Sequence, residues 1–140
     1  MSYRLDSIQG LKQFAADLEA FLHDSPTTDD MDTVDAYLKT LRSWSATLAT
    51  ALGKAEASMS RQMANVIAKT DDETFKRFKH SSTLVTQYTQ GLIPEATAVY
   101  HELQYLKQAV RDASSQLTTM IAYRREELNI HNYRVSNQKQ

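Results

Sequence analysis

The chain has 140 residues, 24% charged and 41% hydrophobic, with no cysteine, 3 glycines and 2 prolines. That length suits one domain, and the absence of thiols excludes disulfides, thiolate metal sites and cysteine nucleophiles. The shortage of turn formers argues against hairpins and sandwiches, and a net charge of -1 supplies no global basic field for nucleic acid or acidic lipid.

Met1 to Asp6 lacks the basic stretch and apolar core of a secretory leader. No apolar run approaches the roughly 18 residues of a membrane span, so the expected location is the cytoplasm. From Leu5 to Leu22 the apolar residues Ile8, Leu11, Ala15, Leu18 and Leu22 recur at steps of three and four, widened by Phe14 and Phe21. This is a helix with one face to bury. Gly10 interrupts it at a cost of about 1 kcal/mol relative to alanine. The turn residues Asp24-Ser25-Pro26-Thr27-Thr28-Asp29 end it near His23.

Five acids, Asp24, Asp29, Asp30, Asp32 and Asp35, follow with no base among them. Carboxylate oxygens suit calcium or magnesium, yet the glycine and closing glutamate of an EF-hand loop are missing. The stronger reading is that these acids cap and favour the positive end of the next helix.

That helix spans about Met31 to Lys69. Its seam runs Val34, Leu38, Leu41, Ser45, Leu48, Leu52, Ala55, Met59, Gln62 and Val66 in alternating steps of four and three. Trp44, Ala51, Met63 and Ile67 broaden it. At 1.5 Å per residue the helix is roughly 55 to 60 Å long, more than a compact globule of this size is wide.

Thr70-Asp71-Asp72-Glu73 is a capping box opening a short helix with Phe75 and Phe78 on one side. Lys76, Arg77 and Lys79 line its other side, followed by His80. Bases interleaved with rings can track phosphates while a ring stacks on a base, with Lys76, Arg77, Phe78 and Lys79 as the candidate residues. The same residues equally suit a hairpin corner with buried phenylalanines. Leu84, Val85, Tyr88 and Leu92 add a helical turn or two.

Pro94-Glu95 opens the last long helix. Ala96, Val99, Leu103, Leu106, Val110, Ala113, Leu117 and Met120 repeat the heptad rhythm, thickened by Tyr100, Ile121 and Leu128. Near its end stand Arg124 and Arg125, with Arg134 and Lys139 beyond. These bases are a second candidate nucleic-acid contact, or simply complement the negative helix terminus. After Asn129 the chain turns polar, so residues 1–128 read as a single helical domain and 129–140 as a tail that frays or is ordered by a partner.

The expected fold is all-α: an elongated antiparallel helical hairpin or bundle, with two long heptad helices and shorter ones. The seam residues are Leu38, Leu41, Trp44, Leu48, Leu52, Met59, Leu103, Leu106, Val110 and Leu117. Helices this long outrun the first helix, and Trp44, Tyr37, Tyr100, Tyr105 and Tyr123 are hard to bury in one hairpin, so a homo-oligomer is expected; the alternative is a monomeric three- or four-helix bundle closed by the first helix.

Catalytic patterns are missing. His101-Glu102 begins like a zinc-protease helix, but position 105 is Tyr105. Glu127 and His131 are four apart with no second copy, which fails the di-iron pattern. Gly53-Lys54 lacks the upstream glycine of a phosphate loop. The reading is a non-enzyme needing no cofactor or metal.

The order of parts is a short helix, then a long helix with the aromatic-rich Tyr37-Leu38-Lys39-Thr40-Leu41-Arg42-Ser43-Trp44, then Glu56 and a basic connector. A final helix ends in Met120-Ile121-Ala122-Tyr123-Arg124-Arg125-Glu126-Glu127-Leu128. Over about two thirds of the chain this resembles the small helical recombination mediator proteins of tailed phages, typified by the T-even phage mediator. The resemblance implies a ring-forming accessory, in the host cytoplasm, that binds single-stranded DNA and helps load a recombinase on it. The alternative is a protein-only helical module, such as a scaffold, a virion component or an inhibitor of a host protein, indifferent to nucleic acid.

Overall fold

The computed structural model describes residues 2–27, 30–71, 73, 76–77 and 81–138. Among the described residues four helices can be bounded: α1 (Ile8–His23), α2 (Met31–Lys69), α3 (Ser82–Gly91) and α4 (Pro94–Gln138). Among the described residues there is no strand.

Helix α1 begins later than its periodicity suggests, because a turn before it takes the chain back on itself. Ser7 is extended, and its Oγ accepts the Gly10 N–H at 3.0 Å while its own N–H donates to the Arg4 carbonyl at 3.3 Å. This reversal lays Tyr3 against the helix. The Tyr3 ring meets Phe14 edge-on at 5.2 Å, and its hydroxyl donates to Asp17 Oδ2 at 2.7 Å. A Cβ on Gly10 would stand 1.8 Å from the Arg4 carbonyl oxygen. The glycine is therefore a requirement of the turn, and not merely a tolerated interruption of the helix.

Helix α2 starts as the acids suggest. Asp30 is its cap: Oδ1 accepts the Asp32 N–H at 3.1 Å and Oδ2 accepts the Thr33 hydroxyl at 2.7 Å. These bonds hold the Asp30 carboxyl below the usual carboxylate range. The described residues contain no group of three or more potential metal ligands; Asp29 lies outside them.

Helices α2 and α4 form an antiparallel pair. Met59, late in α2, clusters with Ile93 and Ala96 at the start of α4, while Leu41 lines a groove with Val110 and Thr118. Leu38, Leu41, Leu48, Met59, Leu103, Leu106, Val110 and Leu117 are all buried within this one chain. At about 1.5 to 3 kcal/mol for each large side chain, that burial is the main stabilising term. Leu52 is half-buried and Ser45, a seam position, is exposed.

Helix α1 crosses the pair on one flank. Lys54 Nζ lies 2.9 Å from Asp6 Oδ1, and the Tyr37 hydroxyl donates to the Phe21 carbonyl at 2.9 Å, so α1 runs antiparallel to α2. Phe21 stacks on Tyr37 at 4.5 Å and on Trp44 at 5.6 Å, with Phe14 5.7 Å from Trp44. Trp44 thus belongs to the α1–α2 aromatic cluster and not to the α2–α4 seam. Tyr37, Trp44 and Tyr100 also find cover inside the chain. Most of the α2–α4 seam is thus covered within the one chain, while Ser45 stays exposed and Leu52 half-buried.

Among the described residues, two apolar stretches stay uncovered. In α3 only Thr89 is buried, its hydroxyl donating to the Val85 carbonyl, while Leu84, Tyr88 and Leu92 are exposed. In α4 the last buried position is Ile121. Beyond it the helix does not fray at Asn129; it continues to Gln138, exposing Tyr123, Leu128, Ile130 and Tyr133. This extension is roughly 25 Å long.

Candidate nucleic-acid and partner interfaces

The basic residues expected to touch nucleic acid fall into two groups at opposite ends of the hairpin. Lys76 and Arg77 follow α2 and are exposed; Phe78 and Lys79 lie outside the described residues, as do Phe75 and His80. Arg124 and Arg125 sit far along α4, roughly 45 Å from Pro94 along the helix axis. Arg124 is half-buried and engages Glu127 Oε2 at 3.2 Å, whereas Arg125 is exposed. Within one chain the two groups cannot share a short ligand.

Between them lies a basic site that sequence reading missed. Two continuous sections of groove, of about 430 and 390 Å³, run between α2 and α4. Ser45, Val110 and Arg111 line both sections, Arg42 lies at one end, and Lys107 and Glu56 toward the other. No residue of α1 lines either section, and Tyr37 and Trp44, which meet α1, do not face it. The groove is the free flank of the hairpin. Among the described residues, Arg42, Lys107 and Arg111 engage in no ion pair, and all three are exposed. The sequence does hold a signal for it: Lys107, Arg111, Ser114 and Thr118 recur at steps of four, three and four. A polar stripe on a heptad helix ordinarily marks a solvated face, so it did not stand out.

The described histidines do not converge. His23, 3.9 Å from Glu19, His101 and His131 are each exposed and lie on different stretches of helix. The strongest electrostatic perturbation is structural: burial, helped by the bond to Asp17, pushes the Tyr3 phenol up to about 12. Desolvation raises Tyr37 as well.

Against known proteins, no family model matches the chain, and neither a curated protein nor a solved structure matches it. Among the described residues no helix is long and apolar enough to cross a membrane.

Proposed function

We propose that this chain is a non-enzymatic, phage-type helical accessory of DNA recombination or replication, which self-assembles and holds single-stranded DNA for a recombinase. The observation that carries the reading is the extension of α4. Past Ile121 it exposes Tyr123, Leu128, Ile130 and Tyr133 beside Arg125 and Arg134. A solitary helix of this length is marginal in water, so its apolar positions favour cover by another subunit. Lys76 and Arg77 mark one end of the hairpin and Arg125 the other. End-to-end assembly would set these bases in a common track, which a single chain cannot do.

Sedimentation of the full chain with a labelled oligothymidylate tests both halves. The expected result is an oligomer that carries the strand at low salt and releases it steeply as salt rises. Reversing Lys76 and Arg77 to glutamate should weaken the binding further. A strand left behind at low salt refutes the nucleic-acid role, and a monomer refutes the assembly.

The second reading, a protein-only interaction module, draws support from the exposed Ile67, Leu84 and Leu92 near the hairpin tip. It predicts a defined protein complex that persists unchanged when all nucleic acid is digested.

A further inference from the structure

We propose that the groove between α2 and α4 seats an acidic amphipathic helix supplied by another protein, completing a four-helix bundle. The hairpin has two flanks, and α1 fills one of them with 16 residues. The other is open from Arg42 to Glu56, roughly 21 Å, close to the roughly 24 Å of α1 itself.

The shape suits a helix. Ser45, Ala49 and Gly53 follow one another at successive turns of α2 along the groove wall, and such small side chains let a helix axis approach within about 8 Å. Leu52, half-buried, and Val110 supply an apolar floor for its inward face.

The charge specifies the partner. Arg42 stands across from Arg111 on the opposing helix, and Lys107 lies one turn before Arg111. Among the described residues, Glu56 is the one acid lining the groove with these three bases, and they have no ion-pair partner. Carboxylates on the rims of an incoming helix would meet all three.

Two other occupants fit less well. A single strand stacks its bases on aromatic rings, and among the described residues no aromatic side chain lines either section of the groove. A second copy using the same face would set Arg111, at the middle of the groove, against its own counterpart, which is repulsive.

The test uses the full chain and a labelled synthetic peptide of about four helical turns, with leucine and alanine on one face and glutamate on the other. A counterpart carrying lysine for glutamate is the comparison, and fluorescence anisotropy is the readout. The glutamate peptide should bind, more weakly as salt rises, and the lysine peptide should not. Lys107→Glu with Arg111→Glu should weaken binding at least about tenfold while leaving the circular dichroism unchanged. Ala49→Trp, which fills the groove without altering charge, should weaken it as well. Failure of the glutamate peptide to bind, equal binding of both peptides, or binding indifferent to these variants overturns the proposal. So does a labelled oligothymidylate that binds the wild type and is lost with the charge reversals, which would assign the groove to nucleic acid.

Discussion

Replacing Gly10 by alanine should destabilise this protein, although the usual helix-interior rule gives the opposite sign. The rule is worth about 1 kcal/mol in favour of alanine. In this chain the new Cβ would stand 1.8 Å from the Arg4 carbonyl oxygen, 2.6 Å from the Arg4 carbonyl carbon and 3.0 Å from Ser7 Oγ. Two of these neighbours are backbone atoms, so the turn must retreat by more than about 1 Å to reach ordinary van der Waals contact. That movement removes the Ser7 cap, about 1 kcal/mol. It also pulls Tyr3 from Asp17, about 1 kcal/mol, and from the edge of Phe14, about 0.5 to 1.5 kcal/mol. The losses exceed the propensity gain by about 1.5 to 2.5 kcal/mol. Urea unfolding read by circular dichroism measures the difference, provided the slope of the transition is unchanged. Gly53→Ala is the matched comparison, because nothing lies within 4 Å of a Cβ there. It should stabilise by about 0.5 to 1 kcal/mol. If Gly10→Ala stabilises as Gly53→Ala does, the close approach of the turn is wrong.

The Tyr3 phenol, pushed up to about 12, binds its proton more tightly in the folded chain than at the ordinary 10.0 of the unfolded one. Stability is then unaffected by this group below pH 10 and falls as pH rises toward 12; Tyr3→Phe should flatten that part of a urea-midpoint profile taken against pH. Phe14, fully buried between Tyr3 and Trp44, should cost about 3 to 5 kcal/mol on Phe14→Ala in the same assay. Asp30→Ala removes the α2 cap and should cost about 1 kcal/mol near neutral pH. Because the carboxyl is held below its ordinary value, the cost should shrink as acid protonates Asp30 in the wild type. Ending the chain after Ile121 should leave the thermal transition of the bundle nearly in place while abolishing any oligomer seen by sedimentation; an oligomer that survives would locate assembly elsewhere.

The long helices were legible because each pairs a start signal with a long run of apolar residues at steps of three and four. Asp30 caps α2, Pro94 opens α4, and apolar residues at steps of three and four mark most of the buried face between. The first helix was legible in type but not in packing. Periodicity shows that Phe14 and Phe21 are apolar-face residues; it does not show that they cover Trp44 and Tyr37. The polar composition after Asn129 suits a tail that frays or is ordered by a partner; the helix instead continues to Gln138, because extending an existing helix adds a backbone bond for each residue fixed. From spacing alone Gly10 is an interruption that a packed face absorbs, because its reason lies in a contact with Arg4 in the preceding turn. The groove bases escaped notice for a similar reason: Arg42 and Arg111 are distant in the chain, and only the antiparallel register sets them across from one another.

That register separates stability from recognition. The apolar stripe of α2 faces α4 at its centre and α1 on one side, so the residues that hold the fold lie on one half of its circumference. The other half carries Arg42, Ser45, Ala49 and Gly53, none of which is buried. Substitutions there alter charge and shape without opening a cavity, and surface changes of this kind ordinarily shift stability by less than about 0.5 kcal/mol. A variant with Arg42, Lys107 and Arg111 all neutralised should therefore unfold at nearly the wild-type urea midpoint. Three bases held near one another repel, and removing them relieves that repulsion, so a small gain in stability is the expected direction at low salt. Should the triple variant instead lose several kcal/mol, the bases would be partners of buried carboxylates, and the free flank of the hairpin would not be free.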